Sequence, residues 1–152
     1  MKRARRSDID SFFSSHAIAV IGVSESKKKF GNIVYCALRD HKFEVYPINP
    51  HRKSVEGVTC YPSLLQLPVK VESAITLVPP RETENVIQDC VQHGIKVLWM
   101  QTGSESEHAI AEAEANGIKV ISKECVLMFL EPVSSIHGVH RFFKRVVGAY
   151  PH

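Results

Sequence analysis

The sequence has 152 residues, 44% of them hydrophobic and 23% charged. That length and balance fit one compact domain and exclude a disordered chain, a collagen-like repeat and a small disulfide scaffold. The net charge of +3 sits at the start: Lys2, Arg3, Arg5 and Arg6 are four of nineteen basic residues, and the other fifteen face sixteen acids. The body of the chain is therefore not expected to bind nucleic acid in bulk. No apolar run approaches the ~18 residues of a membrane helix, so no membrane span is expected. The basic start runs into Ser7-Asp8-Ile9-Asp10 with no apolar stretch behind it, so no signal peptide is expected and the cytoplasm is the expected location. Cys36, Cys60, Cys90 and Cys125 show neither Cys-x-x-Cys nor a zinc spacing. They read as free thiols in a reducing compartment.

In chain order, residues 1–14 read as a basic arm and lead-in. A strand follows at 17–21, rich in Ala, Ile and Val. A helix at 31–40 places Ile33, Val34, Ala37 and Leu38 on one face, and a strand occupies 44–48. A short strand at 58–61 precedes a one-turn helix at 62–66, ended by Leu67-Pro68. A strand at 74–78 leads to a helix at 82–93 with Val86, Ile87, Cys90 and Val91 on one face. A strand at 96–100 leads to a helix at 105–116, with Ser104 as N-cap and Ala109, Ile110 and Ala113 facing inward. A strand at 118–121 and a last helix at about 138–147, carrying Phe142, Phe143, Val146 and Val147, complete the order. Gly94 and Gly117 read as helix C-caps, each feeding an Ile-Lys-Val strand start. Strands apolar on both faces, alternating with helices, predict one α/β domain: a parallel sheet with helices on both sides.

Four loops follow the carboxyl ends of strands, the edge where open α/β sheets bind ligands. The first is Gly22-Val23-Ser24, with Lys27-Lys28-Lys29 before Gly31. Gly22 allows a tight turn, Gly31 a close approach of backbone to ligand, and the lysines and helix start suit a phosphate. A solvated turn with scattered lysines accounts for the same residues. The second is Asn49-Pro50-His51-Arg52-Lys53, where a dehydrogenase binding NAD would carry an acid for the ribose. Its cations suit a phosphorylated ribose, although a polar Asn-Pro turn has the same sequence. The third, Val78-Pro79-Pro80-Arg81, reads as a rigid strand end with Pro80 in the first helical turn. The fourth, Gln101-Thr102-Gly103-Ser104, offers hydrogen-bonding groups.

The segment Ile18-Ala19-Val20-Ile21-Gly22-Val23-Ser24 with Gly31 resembles the opening motif of the CoA-binding domain family. Val45-Tyr46-Pro47-Ile48-Asn49-Pro50 is similar to its second motif, and Gly57 with Cys60-Tyr61-Pro62-Ser63-Leu64 and Leu67-Pro68 to its third. Val78-Pro79-Pro80 resembles the same point in the α subunit of succinyl-CoA synthetase. Trp99-Met100-Gln101-x-Gly103 and Cys125 with Glu131-Pro132 look like the small stand-alone bacterial CoA-binding proteins. The resemblance runs from about residue 18 to 132; it departs from the family at Val23 and at Lys123-Glu124-Cys125, and from the stand-alone bacterial members at Pro79-Pro80-Arg81. It implies a Rossmann-like domain at 15–132 that holds CoA or a short acyl-CoA, with an arm at 1–14 and a helix and tail at 133–152. It further implies that Gly22, Val23 and Ser24 line the nucleotide and that Lys28 or Lys29 lies near its phosphates. Asn49, Pro50 and Lys53 would sit at the adenosine-phosphate end, Val78, Pro79 and Pro80 against the adenine or ribose, and Gln101, with Gly103 beside it, would close the site.

The related acyl-CoA synthetases use a phosphohistidine from a further domain, which these 152 residues are not expected to contain. No nucleophile elbow, zinc-protease or Walker A motif is present. His137 and His140 could pair on a helical turn but lack a third ligand, so no metal is expected. Cys125 is the one candidate nucleophile, beside Lys123, with a half-buried structural cysteine as the simpler reading. A nucleotide-binding or regulatory protein is therefore expected rather than an enzyme complete in one chain. The alternatives are an oxidoreductase preferring NADP, because of Arg52 and Lys53, and an interaction module with a vestigial pocket. The last helix is expected to pack back on the core or against a second copy, the latter giving a homodimer.

Overall fold

The computed structural model describes residues 4–130. In chain order it contains α1 (Arg6–Ser14), β1 (Ala17–Ile21), α2 (Phe30–Asp40), β2 (Glu44–Ile48), β3 (Ser54–Val55), β4 (Val58–Thr59), β5 (Ser73–Thr76), α3 (Pro80–His93), β6 (Val97–Met100), α4 (Glu107–Ala115) and β7 (Lys119–Ile121). Single 3-10 turns occupy Leu64–Gln66 and Val126–Met128. The expected last helix, with His137 and His140, lies outside the described residues.

Five strands form a parallel sheet in the order β2-β1-β5-β6-β7. Alternation along each strand divides the core in two. Ile18, Val20, Ile75, Val97, Trp99 and Ile121 face α1 and α2, meeting Ile9, Phe12, Val34, Tyr35 and Leu38. Ala19, Ile21, Ala74, Leu98 and Met100 face α3 and α4, meeting Ile87, Cys90, Ala109 and Ala113. This is the expected Rossmann-like architecture, with helices on both faces.

The structure also corrects the sequence reading. The expected lead-in contains a helix, α1, that closes one face of the sheet. Phe12 is fully buried, and its ring meets Trp99 edge-on at 5.1 Å, with Phe13 and Phe129 against the same indole at 5.8 and 5.6 Å. The Trp99 indole N–H donates to the Glu124 carbonyl at 2.9 Å. Two of the basic arm residues are engaged within this helix, Arg5 with Asp8 at 3.0 Å and Arg6 with Asp10 at 3.1 Å. The expected short strand at 58–61 is half of a hairpin, with Ser54–Val55 antiparallel to Val58–Thr59 across a Glu56-Gly57 turn at φ 50° and 74°. Strand β5 stops at Thr76, two residues early. The cap of α4 is Ser106, whose hydroxyl accepts from Ala109 N at 3.0 Å, rather than Ser104. Gly94 (φ 91°) ends α3 in the left-handed conformation, as expected.

Candidate functional site

The chain order of the sheet reverses around β1: β2 lies on one side, β5 and the later strands on the other. A crevice opens at the carboxyl ends of strands at such a switch point. Here it is a cleft of about 320 Å³. Ile21 and Gly22 form its back wall, and Ile48, Asn49, Pro50 and His51 one side. Pro62, Ser63 and Leu64 lie next to these. Val78 and the α3 residues Glu82, Asn85, Val86 and Asp89 form the facing wall.

Two glycines set the back wall. Gly22 has φ 102°, and a Cβ there would stand 2.7 Å from Val78 Cγ1 and 3.0 Å from the Leu77 carbonyl group. Conformation and space both require glycine. At Gly31 a Cβ would lie 2.3 Å from the Gly22 carbonyl oxygen. The close approach expected between Gly31 and a ligand is instead an approach of α2 to the β1–α2 loop. This is the helix–strand packing role that one glycine plays in dinucleotide-binding turns.

The second loop is held by Asn49. Its side-chain amide donates to the Val23 carbonyl at 2.8 Å, and its oxygen accepts from His51 N at 2.9 Å. Asn49 thus ties the end of β2 to the end of β1, and its carboxamide is already used on both sides. Asn32, almost wholly buried, does similar work one layer out, donating to the Ser24 carbonyl at 2.8 Å and to Glu56 at 2.9 Å. Arg52 reaches Glu25 at 3.4 Å across the two loops.

Of the expected site residues, Gly22, Asn49, Pro50 and Val78 line the cleft. Lys28, Lys29 and Lys53 are exposed on the two loops beside it. Lys29 is the N-cap of α2, whose first turn holds no acid, so the positive helix end and the lysines point to the same kind of anion. Val23 is fully buried in the core, so its side chain does not line the cleft, and Ser24 Oγ accepts from Ser26 N in the loop turn at 3.1 Å. Pro79 and Pro80 are exposed and open α3 as its N-cap and first residue. Gln101 does not close the cleft. It is buried, and its side-chain oxygen accepts from Val126 N at 3.0 Å, so it braces the end of β6. Gly103, exposed beyond it, donates its N–H to Glu105 at 2.7 Å and stays outside the cleft lining.

Cys125 lies in the core cluster with Trp99 and Val126 and is not part of the lining, while Lys123 is exposed. All four cysteines are free. Burial pushes the thiols of Cys36 and Cys60 up and that of Cys90 to about 12, so these three are not thiolates at neutral pH. No cluster of His, Cys, Asp and Glu suited to a metal occurs among the described residues.

Sequence reasoning missed His51, Ser63, Glu82, Asn85, Val86 and Asp89 as lining. The signal was present on α3: positions 82, 85, 86 and 89 share a helical stripe. By helical spacing Val86 is expected on the sheet-facing side. In the structure Thr83, Ile87 and Cys90 are the buried α3 residues, and Val86 sits at the boundary between sheet and cleft.

The chain is 32% identical over 129 residues to the α subunit of an ADP-forming acetate–CoA ligase of Pyrococcus furiosus, covering 78% of this chain. It spans 28% of that subunit. Its fold matches a conserved hypothetical protein of the same organism with a TM-score of 0.72 and 35% identity, over 75% of this chain and 98% of the other. It also matches a dinucleotide-forming acetyl-coenzyme A synthetase of Ca. Korarchaeum cryptofilum with a TM-score of 0.62 and 34% identity, over 69% of this chain and 25% of that one. The family model of the CoA binding domain matches residues 16–131, which cover the sheet, both glycines and the cleft, and the chain belongs to that family.

Proposed function

We propose that the chain holds CoA, free or carrying a short acyl group, in the cleft at the ends of β1, β2 and β5. The observation that carries this reading is the cleft itself: a preformed crevice at the switch point of the sheet, walled by the motifs that place the chain in its family. The exposed cations Lys28, Lys29 and Lys53 on the flanking loops suit the pyrophosphate and the 3′-phosphate. The family speaks for CoA and against the nicotinamide oxidoreductase alternative. The matching family model describes binding of CoA, and the reading for this segment is accordingly a binding or regulatory role. Four free cysteines suit a reducing compartment such as the cytoplasm. No helix of the described residues is long and apolar enough to cross a membrane.

Calorimetric titration with CoA, acetyl-CoA, 3′-dephospho-CoA and NADP tests the proposal. The expected result is saturable binding of CoA and acetyl-CoA, weakened about tenfold when the 3′-phosphate is absent, the scale of one charge-assisted hydrogen bond. Binding of NADP in preference to CoA overturns it.

A further inference from the structure

The cleft is lined by two carboxylates, Glu82 and Asp89, and by no lysine or arginine. A phosphate placed there would meet like charge, with His51 as the one lining side chain among the described residues able to carry a positive charge. The cations lie elsewhere, on the β1–α2 and β2–β3 loops. If CoA binds in this crevice, as proposed above, the part inside the cleft must be uncharged and the phosphates must run outward to the loops. The floor favours a flat apolar group: Ile21, Ile48, Leu64, Val78 and Val86 surround it. The remaining polar groups on the α3 wall are acceptors or amides, so they suit a ligand edge that donates.

Adenine is the neutral, flat part of CoA, and its exocyclic amino group donates two hydrogens. Among Glu82, Asn85 and Asp89, only Asp89 is partly buried; the other two are exposed. The Asp89 carboxylate makes no hydrogen bond or ion pair among the described residues, whereas the Asn49 carboxamide on the opposite side is engaged on both its polar atoms. We propose that Asp89 is the base-reading residue of the site: its carboxylate accepts from the adenine amino group and excludes bases that present a carbonyl oxygen there.

The test compares CoA with its deaminated form, in which hypoxanthine replaces adenine, by calorimetry on the wild type, Asp89→Ala and Asp89→Asn. Hypoxanthine turns the amino donor into an oxygen acceptor that faces the carboxylate. The wild type is expected to prefer CoA by about tenfold, the lower end for a hydrogen bond to a charged group because the site is partly open to water. Asp89→Ala is expected to bring the two ligands within about twofold. Asp89→Asn, whose amide can turn to donate, is expected to raise binding of the deaminated form above that in Asp89→Ala. A tenfold preference that survives in both variants overturns the assignment of Asp89 while leaving CoA binding intact. Equal binding of the two ligands to the wild type also overturns it. Failure of the wild type to bind CoA overturns the proposed function itself. Pantetheine, added as a competitor, is expected to bind equally to wild type and Asp89→Ala, and a loss confined to the variant places the pantetheine arm in the cleft instead.

Discussion

Replacing Gly31 by alanine sets two effects of opposite sign against each other. Gly31 lies in the first turn of α2, where alanine gains up to ~1 kcal/mol in helix propensity. The added Cβ would stand 2.3 Å from the Gly22 carbonyl oxygen, 3.3 Å from the Gly22 carbonyl carbon and 3.5 Å from Val23 Cα. These are backbone atoms, so no side chain can turn aside. Restoring ordinary van der Waals contact requires the helix and loop to part by about 1 Å. Such overpacking costs ~1–3 kcal/mol, and immobile backbone places it in the upper part of that range. The expected net loss is ~1–2 kcal/mol, which for a chain of this size lowers Tm by roughly 2–8 °C. Because Gly22 forms the back wall of the cleft, CoA affinity should fall together with Tm. Thermal unfolding and calorimetry on Gly31→Ala check both. A Tm equal to or above the wild type, with unchanged CoA affinity, would refute the reasoning, since propensity would then have outweighed a contact that this geometry makes dominant.

Phe12→Ala should cost ~3–5 kcal/mol by denaturant unfolding, because a fully buried ring against Trp99 leaves a cavity that the sheet cannot fill; a loss below ~1 kcal/mol would mean that α1 is not part of the cooperative core. His93 gives a pH signature. Its Nε2 accepts from Val71 N at 3.0 Å, so the bond needs the neutral ring, and burial, aided by Lys70, lowers its pKa below 6.5. A group with a depressed pKa contributes stability that is present in full above its unfolded value and is lost as pH falls from there through the folded one. His93→Gln keeps an acceptor but cannot titrate, so its stability should fall less than that of the wild type between pH 7 and about 5.5; equal slopes would remove His93 from the account.

The parallel sheet with helices on both faces was legible in the sequence because its strands are apolar on both sides and its helices carry 3.6-residue stripes. Gly94, Pro80 and the four strand-end loops were legible for local reasons: a left-handed cap, a first helical turn and a strand terminus each have a residue signature. Family membership was legible in the order and spacing of Gly22, Gly31, Asn49-Pro50 and Val78-Pro79-Pro80. The helix α1 escaped because a basic start drew attention from Ile9, Phe12 and Phe13, whose i, i+3, i+4 spacing has meaning only beside Trp99, 87 positions beyond Phe12. Gln101 and Asn49 offer the same amide to a reader of the sequence. Tertiary structure decided that Gln101 faces inward to Val126 and that Asn49 bridges two strand ends, because a hydrogen bond across 25 or 26 residues depends on where the chain returns. The acidic wall of the cleft is of the same kind. Glu82, Asn85 and Asp89 form a polar stripe that solvent would account for on sequence alone. The switch point beside β1 places that stripe opposite Gly22, because strand order, which no local pattern encodes, decides which helix faces which loop.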